Sequence, residues 1–142
     1  VHHFDIFPTI VSATKTTTSN KKELDGVNLL PYIKKENSDE PHETLFWRSG
    51  NHQSVLHKKW KYIVSKKENK SWLFDTSVDP LEKNNLIESH PKEAQKIEEL
   101  LVQFNSEQKE PLFPSAFEAP IMIDKYDGQA YEEGDEYIYW SN

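Results

Sequence analysis

Four short runs in the middle of the chain are rich in β-branched and aromatic residues and are separated by polar turns. They are "TLFWRS" (44–49), "QSVLHK" (53–58), "WKYIVSK" (60–66) and "SWLFDT" (71–76). Such runs are typical of β-strands. In the third run Trp60, Tyr62 and Val64 fall on one side of the pleat, so that one face can pack against another element. The pattern predicts an antiparallel meander of four strands.

The segment "HPKEAQKIEELLVQFNSEQ" that follows has a helical period instead. Pro91 stands where a first helical residue loses no hydrogen bond, and charged residues lie opposite an apolar stripe. The stripe consists of Ala94, Ile97, Leu100, Leu101 and Phe104. The predicted fold class is therefore α+β, with a small four-stranded antiparallel sheet packed by one amphipathic helix.

The two ends of the chain differ from this middle part. "HFDIFPTIVSAT" has apolar residues at helical spacing with Pro8 in the first turn, which predicts a helix near residue 1. A polar connector and an Asp25-Gly26 turn follow it. We expect residues 1–43 to be a helix and linker from a larger fold, 44–110 to be the sheet-and-helix subdomain, and 111–142 to be an irregular tail with two short strands.

Composition narrows the possible partners. The 142 residues are 35% hydrophobic and include four Trp, which is enough for one modest core. The net charge is −7 and Arg48 is the single arginine, which argues against nucleic acid or anionic lipid as a partner. No apolar run reaches the roughly 20 residues that span a bilayer. We therefore expect neither a nucleic-acid nor a membrane partner.

The sequence contains no self-contained catalytic or metal-binding motif. There is no Cys, and the six His include no pair at the i, i+4 spacing of a zinc site. The acidic stretch "DKYDGQAYEEGDE" fails as an EF-hand, because Ile123 and Gly134 fall where carboxylates are needed. Nucleophile elbows, Walker loops and dinucleotide fingerprints are also absent from the sequence. We predict no catalytic and no metal-ligating residue in this chain.

The candidate binding residues are Trp47, Arg48 and His52. They bring a stacking surface, a bidentate cation and a titratable donor within six positions, which are groups that hold sulfated or carboxylated sugars. In the alternative interpretation, Trp47 is a core residue and Arg48 pairs with a carboxylate such as Glu43 or Asp75.

The order of several short motifs resembles the C-terminal part of the type I, formylglycine-dependent sulfatases, which belong to the arylsulfatase family of the alkaline-phosphatase-like superfamily. The motifs are "DIFPTI", "LDGVNLLPYI", "LFWRSG", "WKYI", "LFD" and "DPLEKNNL", followed by the amphipathic helix. The resemblance covers residues 3 to 105. It implies that the turn after Asp75, with Asp79, Pro80 and Asn85, is scaffold that returns the chain onto its own sheet.

The resemblance also implies a function for the parent protein. Such enzymes hydrolyse sulfate esters with a formylglycine made from Cys or Ser in a C-x-P-x-R motif, beside a calcium ion, in an N-terminal domain that would precede residue 1. Formylglycine and calcium are therefore expected there, and no cofactor is expected in this chain. The implied partners are that N-terminal domain and a sulfated carbohydrate, and the implied location is the periplasm or the outside of a bacterial cell.

Two departures from the family pattern weaken the transfer of substrate contacts. Many relatives have a Val-Arg pair where this chain has Val55-Leu56, and a Gly-Asp turn where it has Lys58-Lys59. The alternative function is a stand-alone glycan-binding or protein-interaction module without catalysis. The reading frame upstream of residue 1 discriminates between the two.

Overall fold

The computed structural model describes residues 1–18, 23–110, 112, 113, 118–123, 125, 128–130 and 132–141. These residues belong to two compact units, Val1–Glu43 and Thr44–Asn142. The predicted connector 14–24 lies partly outside the described residues, as does part of the predicted tail. No helix within the described ranges is both long and apolar enough to span a bilayer.

The first unit contains the predicted N-terminal helix. A 3-10 turn at His3–Asp5 leads into α1 (Ile6–Thr14), and a short helix α2 (Leu30–Ile33) follows. Thr9 joins α1 to the segment before α2, because its hydroxyl donates to the Asp5 carbonyl (2.6 Å) and accepts from the Leu29 amide (2.9 Å). Three apolar side chains of α1 are exposed, those of Ile6, Phe7 and Ile10.

The second unit contains the predicted sheet. Its strands are β1 (Thr44–Ser49), β2 (His52–His57), β3 (Trp60–Ser65) and β4 (Lys70–Asp75), paired antiparallel in sequence order. β2 and β4 each begin one residue earlier than predicted. The predicted α+β class and four-stranded meander are confirmed.

Helix α3 (Pro91–Glu107) covers one face of this sheet. The core between them is formed by Val55, Tyr62, Leu73, Ala94, Ile97 and Leu101. Val55, Tyr62 and Leu73 are opposite one another in adjacent strands, so one row of the pleat meets the helix stripe. Phe46 extends the row and stacks on Phe104, with ring centroids 4.3 Å apart. The predicted stripe of α3 is therefore its buried face.

The polar turn that follows β4 covers the outer edge of this strand. Asn85 Oδ1 accepts the Leu73 amide (3.0 Å), and the Leu86 amide donates to the Leu73 carbonyl (2.7 Å). These two bonds pair the backbone groups of Leu73 as a neighbouring strand would. Asp79 Oδ2 accepts the Asn84 amide (2.8 Å) and so holds the loop in shape. Ile87 then packs against the core on the way into α3.

The predicted pair of tail strands is also present. β5 (Glu118–Met122) and β6 (Tyr137–Ser141) form an antiparallel hairpin. Ile138 is buried against Trp72 and Phe74, whose side chains alternate with Leu73 and so lie on the sheet face away from α3. The hairpin strands bond to each other, and Ile138 anchors them to the main sheet.

Candidate functional site

The three predicted binding residues lie at one end of the sheet, where β1 turns into β2. Trp47 and Arg48 are in β1, and His52 is the first residue of β2. The Gly50 of the turn has φ 55°, a left-handed conformation that glycine adopts without strain. The turn therefore suits the Ser-Gly-Asn sequence that connects the strands.

Strand alternation separates Arg48 from the other two residues. Arg48 pairs with Gln53, and both belong to the α3 face, where Gln53 exchanges hydrogen bonds with Asn105 of the helix (2.9 Å and 3.4 Å). The Arg48 guanidinium lies 3.5 Å from the Lys109 carbonyl just after α3. Trp47 and His52 lie on the opposite face. Trp47 and His52 therefore share one face of the sheet, and Arg48 lies on the other.

Trp47 is the accessible member of the set. Its side chain is 37% exposed and lies in a row with Ser54, Ile63 and Trp72 across the sheet. An exposed indole offers a flat apolar surface. This position therefore suits a stacking contact.

His52 is buried, with 7% of its surface exposed. Its Nε2 lies 3.1 Å from the Ser65 hydroxyl on β3, and that hydroxyl donates to the Glu68 carboxylate in the next turn. These hydrogen bonds between His52, Ser65 and Glu68 therefore hold the start of β2 against the end of β3. Its burial leaves little imidazole surface for a ligand.

Asp75 pairs with Lys59 and not, as the alternative interpretation expected, with Arg48. Its carboxylate accepts hydrogen bonds from the Lys59 ammonium (2.7 Å) and the Ser77 amide (3.1 Å). The hydrogen bonds from Lys59 and Ser77 lower the pKa of Asp75 despite its burial. Asp75 thus stabilises the turn that begins at the end of β4.

Sequence reasoning gave no role to Asp5, which organises the first unit. Asp5 is fully buried and accepts three hydrogen bonds, from the amides of His2 (2.7 Å) and Val27 (3.0 Å) and from His42 Nε2 (2.7 Å). Burial by itself would raise the pKa of Asp5, but the two amides and the imidazole outweigh it, so the pKa is lowered. His42 stands 37 residues away in the sequence, so no local pattern could have linked the two.

An open groove of about 790 Å³ lies on the sheet face away from α3. Trp72, Phe74 and Ile138 line its apolar floor. The 81–85 turn and residues between β5 and β6 form its walls. No local sequence pattern predicts this groove, because its walls come from segments about 40 residues apart.

The described residues contain no group of three or more His, Asp or Glu that could hold a metal ion. Asp5 bonds His42 and two backbone amides, and Asp75 bonds Lys59. The carboxylates with a lowered pKa are thus hydrogen-bonded within the structure. Such hydrogen bonds to carboxylates stabilise the loops that supply the donors.

No family model matches the sequence. Among the curated proteins, likewise, no sequence match was found. The fold, however, recurs in solved structures.

The solved structures that match this fold include sulfatases. BT1596, a 2-O glycosaminoglycan sulfatase, matches 72% of this chain with 24% of its own, at 22% identity and a TM-score of 0.59. A candidate sulfatase from Bacteroides thetaiotaomicron VPI-5482 matches 72% of this chain with 24% of its own, at 22% identity and a TM-score of 0.60. Ps i-CgsB, also solved with k-i-k-neocarrahexaose, matches 78% with 25% of its own, at 17% identity and a TM-score of 0.62. This chain therefore has the fold of a part of these proteins and spans about a quarter of their length.

Proposed function

We propose that residues 1–142 are the C-terminal part of a type I, formylglycine-dependent sulfatase that hydrolyses sulfate esters of a carbohydrate. The observation that carries the proposal is the shared fold, since sulfatase structures match 72 to 78% of this chain. The motif order from "DIFPTI" to "DPLEKNNL" supports the same assignment independently of the fold. The proposal includes the periplasmic or secreted location that the resemblance implies.

In this proposal the chemistry belongs to the polypeptide that would precede residue 1. A formylglycine there would supply the nucleophile and calcium would bind the sulfate group. The present chain has neither Cys nor an S-x-P-x-R string, so it offers no precursor of that nucleophile. Its own role is structural, and the end of the sheet near β1 and β2 would help to shape the substrate cleft.

Trp47, Arg48 and His52 remain the proposed substrate-binding residues, with roles that their positions differentiate. Trp47 would stack on a sugar ring, since its indole is exposed. Arg48 would bind a sulfate or carboxylate through charge-assisted hydrogen bonds. Since these two side chains lie on opposite faces of the edge strand β1, they would contact different parts of an extended polysaccharide. The buried His52 would mainly hold the turn between β1 and β2.

The complete reading frame tests the proposal first. We expect a C-x-P-x-R or S-x-P-x-R motif and a set of Asp and Asn metal ligands upstream of residue 1. A natural start close to residue 1 would reject the sulfatase assignment and favour the interaction module.

Enzyme assays provide the second test. The full-length protein, produced in a host that makes formylglycine, should hydrolyse an aryl sulfate or a sulfated oligosaccharide. Replacing the modified Cys or Ser by Ala should abolish turnover. Residues 1–142 alone should be inactive, so turnover by a rigorously purified sample of them would contradict the assignment of catalysis to the preceding domain.

A further inference from the structure

Positive charge is concentrated at the end of the sheet where the β1–β2 and β3–β4 turns lie. The chain as a whole has a net charge of −7. Residues 47–53 and 64–71, which form this end, nevertheless carry four cations and one carboxylate, that of Glu68. The cations are Arg48, Lys66, Lys67 and Lys70. A local excess of one sign attracts ligands of the opposite sign, so this end of the sheet favours an anionic ligand.

The backbones of the two turns are held together. The Lys66 amide donates a hydrogen bond to the Asn51 carbonyl (2.9 Å). Ser65 and His52, the residues beside them, are both buried, and the Ser65 hydroxyl lies 3.1 Å from His52 Nε2. The β3–β4 turn therefore has a fixed position beside the β1–β2 turn, and a ligand that contacts both turns does not have to order them first.

Arg48 and Lys66 both lack a carboxylate partner among the residues that the structure describes. Lys66 is exposed, and the Arg48 guanidinium contacts the Lys109 carbonyl (3.5 Å). Lys70 differs from them, because it pairs with Glu136 (3.1 Å). An anion can therefore bind at Arg48 or at Lys66 without displacing an existing ion pair.

The β3–β4 turn is the more positive of these two places. Two acidic residues, Glu107 and Glu110, lie beside Lys109 in the sequence and moderate the charge around Arg48. The turn at 65–70 has three lysines and one carboxylate. The strongest unassigned attraction for an anion is therefore at this turn.

Arg48 and Lys66 lie at different places on this end of the sheet. Arg48 belongs to the edge strand β1 and lies on the α3 face, while Lys66 follows the last residue of β3, two strands away. Neighbouring strands are about 4.8 Å apart, so the two backbones are separated by roughly 10 Å or more. An anion at Arg48, whose guanidinium is near the Lys109 carbonyl, therefore leaves Lys66 for a second anion.

We propose that Lys66 in the β3–β4 turn, with Lys67 beside it, binds a second anionic group of the saccharide, so that the protein selects chains with at least two sulfate or carboxylate groups. The inference rests on the proposed function, in which the ligand is a sulfated carbohydrate and Arg48 binds its first anionic group. The ammonium group of a lysine is a point charge on a flexible stem, which suits an oxyanion whose position varies along a saccharide chain. The exposed Trp47 at the same end can stack on a sugar ring.

A nucleic acid is the other polyanion that such a patch attracts. Single strands are bound through several aromatic side chains on which successive bases stack. Within 47–53 and 64–71, Trp47 is the exposed aromatic residue, so this end of the sheet offers a single stacking surface. The sulfated saccharide therefore fits this end better.

Binding to polysaccharides of graded charge tests the proposal on the full-length protein. The probes are two dextran sulfates of equal chain length, one sparsely and one densely sulfated, titrated by isothermal calorimetry at several salt concentrations. Lys66→Ala removes the proposed contact, and Lys66→Arg retains its charge. Lys92→Ala is the matched control, because Lys92 is exposed in the first turn of α3, whereas Asn105 near the other end of that helix contacts Gln53.

We expect Lys66→Ala to weaken binding of the densely sulfated polymer about two- to fivefold, as the loss of one exposed ion pair implies. Binding of the sparsely sulfated polymer should change less. Binding of the dense polymer should also depend less steeply on salt, because one contact that releases counterions is lost. Lys66→Arg and Lys92→Ala should both bind as the wild type does.

Three results would overturn the proposal. The first is equal weakening of both polymers by Lys66→Ala. The second is an effect of Lys92→Ala as large as that of Lys66→Ala. The third is a single-stranded DNA that binds more tightly than the dense polymer and depends on Lys66, which would assign the patch to nucleic acid.

The outcomes separate this inference from the proposed function, because binding is measured without catalysis. A full-length protein without sulfatase activity, whose preference for the dense polymer depends on Lys66, rejects only the enzymatic assignment. An active sulfatase whose binding of the two polymers does not depend on Lys66 rejects only the second anionic contact.

Discussion

Replacing Asp5 by Asn should destabilise the first unit strongly, although the two side chains have nearly the same shape. Asp5 is fully buried, and its two oxygens accept from two backbone amides and from His42. An Asn side chain has one acceptor oxygen and one NH₂ donor. If the oxygen keeps the bonds to Val27 and His42, the NH₂ group faces the His2 amide, which then loses its acceptor.

The magnitude follows from the bonds lost. A buried donor left unsatisfied costs about 1–3 kcal/mol. The two remaining bonds also lose charge assistance, which contributes roughly 1 kcal/mol each. We therefore expect Asp5→Asn to reduce the free energy of unfolding of this unit by about 3–5 kcal/mol.

Hydrogen exchange at the Val27 and Leu29 amides measures this effect locally. Each decrease of about 1.4 kcal/mol in stability should lower their protection tenfold. Asp39→Asn, which alters an exposed carboxylate in the same unit, is the matched control and should leave the protection unchanged. A loss below about 0.5 kcal/mol for Asp5→Asn would show that Asp5 does not organise the unit.

The pH dependence provides an independent check on Asp5. Folding lowers its pKa from the ordinary value of 3.8. The carboxylate therefore contributes fully to stability above the unfolded pKa, and the contribution is lost as the pH falls below it towards the folded pKa. The difference in protection between wild type and Asp5→Asn should be constant from pH 6 to pH 5, roughly, and should shrink as the pH is lowered past about 3.8. A difference that does not change with pH would refute the ionised state assigned to this carboxylate.

Three further predictions concern the core, a close backbone approach and the candidate site. Leu101→Ala should cost about 2–5 kcal/mol in a denaturant titration because Leu101 is 4% exposed in the core, whereas Val102→Ala should cost under about 0.5 kcal/mol. Gly26→Ala should lower the melting temperature, since a Cβ there would lie 2.2 Å from the Phe4 carbonyl oxygen; an unchanged melting temperature would contradict that approach. In the proposed full-length sulfatase, Arg48→Ala should weaken binding of a sulfated polysaccharide by roughly ten- to a hundredfold. The rate of aryl sulfate hydrolysis should change little. Equal loss on both substrates with a lower melting temperature would instead identify Arg48 as a structural residue.

The sequence alone determined the local elements of this protein. The period of two in "WKYIVSK" and the helical stripe from Ala94 to Phe104 predicted which residues meet in the core, and the structure confirms both. These predictions succeed because the side-chain directions of a strand or a helix repeat over a few residues, so the residues that share a face are defined by the sequence itself. The same alternation also separates Trp47 from Arg48, because consecutive residues of a strand point to opposite faces of the sheet.

Only the tertiary structure decided how distant segments meet. The buried Asp5 carboxylate accepts a hydrogen bond from His42, which is 37 residues away in the sequence. Asn85 accepts a hydrogen bond from the amide of Leu73 in β4, which is 12 residues away. Contacts between distant segments also determine the burial of His52, the packing of Ile138 on the sheet and the groove beside Ile138. None of these arrangements has a local periodicity, because each depends on the packing of whole elements and on which buried donors and acceptors remain to be paired.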